Sequence, residues 1–210
     1  MRLYLASTSP ARLATLRAVG VEPVLLASNV DEDAAVAAAG PLTAPEMVLL
    51  LARLKAEAVV GRTVDGAPID GFILGGDSAF ELDGVVYGKP HEPAVARERW
   101  LLQRGREGEL HSGHWLIDHR AGVAAGATGG VSTSSVRFAA DISEDEIDAY
   151  VATGEPLQVA GAFTIDSLGA PFISEVRGDP HAVVGLSVAL LRELLLGFGV
   201  RWHTLRNRGL

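Results

Sequence analysis

Five separated side chains in this sequence could together handle a polyphosphate: the acids Glu32 and Asp77 and the cations Arg12, Lys55 and Lys89. Asp77 follows two glycines at the end of the apolar run GFILGG, residues 71–76. Ligands of open α/β sheets bind off the carboxyl ends of strands. A carboxylate placed there is costly to bury without a metal, a cation or water as its partner. Asp31 and Glu32 follow a second apolar run, VEPVLLAS. Two carboxylates from separate strand ends suit Mg²⁺, which takes oxygen ligands and shares them with substrate phosphates. Arg12, Lys55 and Lys89 would supply three cations to a triphosphate. Each residue also has a plainer reading: Asp77 as a turn cap, Glu32 as a solvated acid, Lys55 as a snorkelling helix residue, Lys89 as a turn lysine. Their joint occurrence is what argues for chemistry.

The two lysines carry a further signal. The chain has sixteen arginines and two lysines, so arginine fills nearly every position where any cation would serve. Positions 55 and 89 therefore read as places that want a compact ammonium rather than a planar fork, and a point charge on phosphate is one such need. The segment LASTSPAR, residues 5–12, puts three hydroxyls, a proline and Arg12 at a strand-to-helix junction. Taken alone, Ser9 and Pro10 are ordinary N-cap and first-turn residues. The same junction also suits an anion, because a helix start presents unpaired N–H groups.

Other motifs fail on spacing. GVVYGKP is one residue short of a P-loop and has Pro90 where a metal-holding hydroxyl belongs. Neither a dinucleotide fingerprint nor a nucleophile elbow is present. In a strand, His111 and His114 point to opposite faces, so they cannot share one ion there. Structural or surface roles are expected for them and for His119.

The elements that must position these residues follow from pattern. Residues 2–6 and 21–28 read as strands around a helix at 10–19, and NVDEDAAVAAAG (29–40) as an acidic, alanine-rich loop. Thr43 and Glu46 form a capping box opening a helix to about Val60. Asp83-Gly84 marks a hairpin, a helix covers 92–104, and strands lie at LHSGHWLID and VSTSSVRFA. Ser143 and Glu146 cap a further helix. GEPLQVAGAFTIDSLGAPF (154–172) reads as a glycine-punctuated loop with one short strand. A leucine-rich helix at 187–197 closes the chain, its pattern favouring the core over a homodimer contact. The class is α/β with a partly antiparallel sheet flanked by helices, and 1–210 reads as a single domain.

Composition narrows the function. The apolar fraction is 48% and net charge −8, which suits a folded chain and disfavours broad binding to nucleic acid or anionic membranes. No apolar run approaches the roughly 20 residues of a membrane helix. There is no cysteine for disulfides or thiolate metal sites. The N-terminal residues lack a secretory pattern, so a cytoplasmic location is expected. The basic segment RWHTLRNRGL at 201–210 reads as a solvated end.

In order and spacing, LASTSPAR, the acidic pair at 31–32, ARLKA (52–56), GGDS (75–78), GKP (88–90), TGEP (153–156), AGAF (160–163) and GDPHAVVGLS (178–187) resemble the Maf family of nucleotide pyrophosphatases. The resemblance implies a mixed α/β, Maf/ITPase-like fold with two lobes around a central cleft. It implies hydrolysis of nucleoside triphosphates to monophosphate and pyrophosphate with a divalent metal, Mg²⁺ or Mn²⁺. By resemblance Asp77 is the general base and a metal ligand, and Glu32 a metal-side carboxylate. Ser7, Ser9, Arg12, Lys55 and Lys89 hold phosphate oxygens. The family often has a second arginine where this chain has Ala11, threonine at Ser78, lysine at Val159 and glutamine at Asp166. Asp166 becomes the base-pocket candidate, able to accept hydrogen bonds but not to donate them when ionised. The family also implies removal of modified nucleotides. The competing reading is a regulator of cell division that binds nucleotide or protein with little catalysis.

Overall fold

The computed structural model describes residues 1–207. Strand β1 (Leu3–Ala6) is buried throughout and leads into helix α1 (Pro10–Ala18), where the Ser9 hydroxyl accepts the Arg12 N–H and Pro10 opens the first turn. Strand β2 (Val24–Leu25), helix α2 (Glu32–Ala39) and helix α3 (Ala44–Glu57) follow. A small hairpin, β3 (Thr63–Val64) with β4 (Ala67–Pro68), precedes the long strand β5 (Gly71–Leu82). Next come β6 (Val85–Tyr87), α4 (Pro93–Gln103), β7 (Glu107–His119) and β8 (Gly126–Phe138). Helix α5 (Glu144–Ala152), β9 (Ile173–Arg177), α6 (Pro180–Val184) and α7 (Val188–Gly197) complete the chain.

Among the described residues seven strands share one sheet, ordered β2-β1-β5-β7-β8-β9 with β6 on β5. β1 pairs in parallel with β2 and β5. β5 pairs antiparallel with β6 through the Asp83-Gly84 turn, and β8 antiparallel with β9. The expected mixed, partly antiparallel α/β class is what forms.

The chain divides into two compact units. The first holds Met1–Asp77, Ser112–Ser132 and the chain from Gly185 on; the second holds Ser78–His111 and Thr133–Val184. The strand period of two splits β1 between two cores of the first unit. Leu3 and Leu5 pack with Leu16, Phe72 and the α7 leucines Leu191, Leu194 and Leu195, whereas Tyr4 and Ala6 pack with Ala56, Ile73 and Ile117. Leu191, Leu194 and Leu195 of the closing helix thus face inward, while Leu196 is exposed. The second unit is built on aromatics: Phe80, Trp100, Phe138 and Phe163 meet edge to face with centroids 5.1–5.8 Å apart, the arrangement the ring quadrupole favours.

Four expectations are corrected. Residues 29–40 are not a loop: Asp31 caps α2 by accepting the Ala34 N–H at 3.0 Å, acids fill the first turn, and alanine is the strongest helix former. The strand read at 21–28 shrinks to Val24–Leu25, because Pro23 has no N–H and the Glu22 N–H is taken by Asn207 at 2.7 Å. Residues 154–172 contain no strand. They form 3₁₀ turns at Glu155–Gln158, Ala160–Ala162 and Ala170–Phe172, gathered by the Glu155 carboxylate. It accepts from Tyr150, Thr164 and Ser167 hydroxyls at 2.6–2.9 Å and from the Leu168 and Gly169 N–H groups. Finally, Asp77 is not at the end of its strand, since β5 runs on to Leu82. The three histidines are structural rather than superficial: His111, His114 and His119 are all buried. Their Nδ1 atoms meet Thr133, the Ser112 carbonyl and the Ile69 carbonyl respectively. Residues 208–210 of the basic C-terminal segment lie outside the described residues.

Candidate active site

Although β5 continues past Asp77, its parallel ladder with β1 does not. The last β1 pair joins Ala6 to Gly75, so Asp77 sits just beyond the carboxyl end of β1. The strand-end logic therefore holds for the neighbour rather than for the strand that carries the acid. The two preceding glycines have distinct reasons. A Cβ on Gly75 would fall 2.0 Å from the Ala52 carbonyl oxygen, so β5 lies directly against the α3 backbone. A Cβ on Gly76 would come within 3.1 Å of Arg12 Nε. Glycine at 75 brings α3 close, and glycine at 76 leaves room for a guanidinium.

That close helix delivers Lys55 from the last turn of α3. Its Nζ lies 2.7 Å from Asp77 Oδ1 and 2.7 Å from Glu32 Oε1. The side chains of Lys55 and Asp77 are 10% and 12% exposed, and that of Glu32 49%. An ammonium bridging two carboxylates at this spacing matches the compact cation inferred from lysine scarcity. Arg12 is also buried. Its Nε donates to the Gly185 carbonyl at 2.8 Å and its Nη1 to Ser7 Oγ at 3.2 Å. Ser7 Oγ additionally accepts the Ser9 N–H at 3.1 Å, and Ser9 Oγ accepts the Arg12 N–H at 3.4 Å. The hydroxyls of Ser7 and Ser9 thus act as acceptors that fold the β1–α1 junction around Arg12.

The charges are coupled. Burial pushes the Asp77 carboxyl above the ordinary aspartate range; Lys55 and then Arg12 pull it back, and Glu32 adds to the rise. Burial lowers the Arg12 guanidinium, opposed by Asp77 and Glu32. The site holds two acids and two cations with little water around three of them, so each charge is sensitive to the others.

The first unit thus brings together Ser7, Ser9, Arg12, Glu32, Lys55 and Asp77. Lys89 and Asp166 belong to the second unit and are not part of this cluster. Lys89 is exposed in the turn after β6, and Asp166 is exposed in the loop ordered by Glu155. Sequence reasoning missed the Gly185 carbonyl, a backbone group with no side-chain signature. Its position in GDPHAVVGLS was the available hint.

The implied divalent metal can be tested against these donors. Among the described residues no group of three or more His, Cys, Asp or Glu side chains is placed to hold an ion. Mg²⁺ commonly binds through one or two carboxylates with substrate phosphates and water completing its shell. Glu32 and Asp77 flank one ammonium, and each has a second carboxylate oxygen. This hard-oxygen pair fits that mode.

Residues 2–198 match the family described as Maf-like protein. A protein of Leifsonia xyli subsp. xyli named nucleoside triphosphate pyrophosphatase is 64% identical over 212 residues, covering 99% of this chain and 98% of its own. A protein of the same name from Salinispora tropica is 50% identical, covering 100% and 89%. Another from Nocardia farcinica is 49% identical, covering 94% and 93%. With residues 2–198 matched by the family and relatives up to 64% identical along nearly its whole length, the chain belongs to the Maf-like protein family.

Proposed function

We propose that this chain hydrolyses nucleoside triphosphates to the monophosphate and pyrophosphate. The observation that carries the reading is Lys55 held between Asp77 and Glu32, with Arg12 buried beside them. The relatives' shared name supports the same reaction. A triphosphate brings several negative charges to a site whose Lys55 is engaged by two carboxylates. Phosphate oxygens compete for that ammonium, and Asp77 is freed to face a water molecule. Asp77 then accepts a proton from, or aligns, the water that attacks the α-phosphorus, and pyrophosphate leaves. Burial raises its proton affinity above that of an exposed aspartate, which makes it the stronger base when ionised.

Arg12, fixed on one edge by the Gly185 carbonyl, offers preorganised donors where charge accumulates on the phosphate oxygens. Ser7 and Ser9 hydroxyls supply further donors at the β1–α1 junction. Glu32 and Asp77 would hold Mg²⁺ or Mn²⁺ with the substrate. A divalent ion there supplies charge neutralisation and a more acidic water. Lys89 remains a phosphate-binding candidate and Asp166 a base-pocket candidate on sequence grounds; Lys89→Ala and Asp166→Gln test them separately. On sequence grounds this reading puts the reaction in the cytoplasm, with non-standard nucleotides among the candidate substrates.

The test is a panel of standard and modified nucleoside triphosphates with Mg²⁺ or Mn²⁺. Pyrophosphate and monophosphate are the expected products, with turnover largely lost in Asp77→Asn. Release of orthophosphate alone, or binding without turnover for every base, overturns the reading; the latter outcome favours the regulator.

A further inference from the structure

His114 is buried on β7, is fully enclosed and has no part in the chemistry above. Its Nε2 lies 2.9 Å from the backbone nitrogen of Ser187, and its Nδ1 lies 3.1 Å from the Ser112 carbonyl oxygen. A backbone N–H can only donate, so Nε2 must be the acceptor. The proton therefore sits on Nδ1 and points at the Ser112 carbonyl. This contact is neutral imidazole in one defined tautomer, used as a hydrogen-bond acceptor for a turn.

That turn is the one that holds Arg12. Gly185 has φ +117°, a conformation that favours glycine, and its carbonyl accepts from Arg12 Nε at 2.8 Å. Two residues on, Ser187 presents its N–H to His114, and its hydroxyl caps α7 by accepting the Leu190 N–H at 3.0 Å. Ser187 is thus held twice, through its N–H by His114 and through its hydroxyl by the start of α7, two residues after the carbonyl that anchors Arg12. An arginine side chain has many rotamers to choose from, so a fixed acceptor at Nε matters for aiming the guanidinium.

We propose that His114 is a positioning residue that acts through Ser187 and Gly185 to aim Arg12. The inference rests on the phosphate-binding role proposed for Arg12, but the geometric part stands apart from catalysis. Two polar substitutions separate the roles. In His114→Gln the longer amide oxygen can still reach the Ser187 N–H. In His114→Asn the side chain stays polar but falls short of it.

Kinetics and the Arg12 Nε–Hε resonance in proton–nitrogen NMR are followed together, the resonance identified by its loss in Arg12→Ala. His114→Asn is expected to lower kcat/KM about tenfold, mostly through KM, and His114→Gln to stay within about threefold of the parent. In the Arg12→Ala background, His114→Asn should change kcat/KM by less than about twofold, because residues acting as one unit are not additive. The Arg12 resonance should shift in the Asn variant and keep its parental position in the Gln variant. This readout decides the inference even if the parent protein hydrolyses no nucleotide. An unmoved Arg12 resonance in His114→Asn, or full multiplication of the two kinetic effects, overturns it.

Discussion

Replacing Lys55 by methionine keeps the length of the side chain and removes the charge that touches both acids. A unit pair 2.7 Å apart is worth roughly 6 kcal/mol at an effective dielectric of about 20. Desolvation offsets most of this, because the Lys55 and Asp77 side chains are only 10% and 12% exposed and each buried ion loses several kcal/mol of hydration. The contact with Glu32 is worth about 1 kcal/mol or less, since that side chain is half in solvent. Deleting one member is different from deleting the pair: it leaves the Asp77 charge buried without its main partner, which costs about 3–5 kcal/mol in comparable settings. Arg12 still acts on Asp77, so the expected loss is about 2–3 kcal/mol when Asp77 is ionised.

The pH dependence has a definite sign. Burial already raises the folded-state Asp77 carboxyl, and loss of Lys55 raises it further. A group with a raised folded pKa contributes stability below its unfolded value and loses it as pH rises through the folded one. Lys55→Met should therefore be close to the parent in acid, where Asp77 is protonated, and fall behind it as pH rises through the folded value towards the alkaline side. Urea unfolding followed by tryptophan fluorescence across that range measures the difference. A deficit independent of pH, or below about 1 kcal/mol at the alkaline end, would refute the view of Lys55 as the counter-charge of a buried Asp77.

Gly75→Ala should be poorly folded, because the added methyl meets the Ala52 carbonyl at 2.0 Å; circular dichroism and expression yield report it. Gly76→Ala meets only the flexible Arg12 side chain, so its fold should persist while KM rises about three- to tenfold from a misaimed guanidinium. Equal behaviour of the two alanine variants would contradict these assignments. Glu155→Ala should destabilise by about 2 kcal/mol through loss of a charged acceptor for several donors. Burial raises that carboxyl, but the hydroxyls of Ser167, Thr164 and Tyr150 outweigh it and hold it below its ordinary range. Its contribution is thus present near neutrality and lost as pH falls through the folded value, so the penalty should fade in acid urea titrations.

Local signals made much of the fold legible. Capping boxes at Thr43–Glu46 and Ser143–Glu146 mark real helix starts, and Asp83-Gly84 turns the β5–β6 hairpin. Where order comes from distant partners, local pattern misleads. Asn207 takes the Glu22 N–H just before β2, and Glu155 gathers donors 5 to 14 residues away in a segment that reads as a glycine-punctuated loop with one short strand. Residues 29–40 are a plainer misreading, since the Asp31 cap and the alanines of α2 were present in the sequence.

The candidate site was legible as a set of charges but not as a geometry. Sixteen arginines against two lysines singled out Lys55, yet nothing local says that its ammonium bridges Asp77 and Glu32. The Arg12 anchor is a backbone carbonyl 173 residues away, and the tautomer of His114 follows only once Ser187 is seen to donate to it. Side-chain types can be read along a chain, whereas backbone acceptors and close approaches appear only in three dimensions.

The central claim is that water activated at Asp77 attacks the α-phosphorus. Single-turnover hydrolysis in oxygen-18 water, with mass analysis of both products, tests it most directly. The account predicts one heavy oxygen in the nucleoside monophosphate, none in pyrophosphate, and loss of labelled product in Asp77→Asn. Label in pyrophosphate or orthophosphate, or an Asn variant that labels monophosphate at the parental rate, would contradict it.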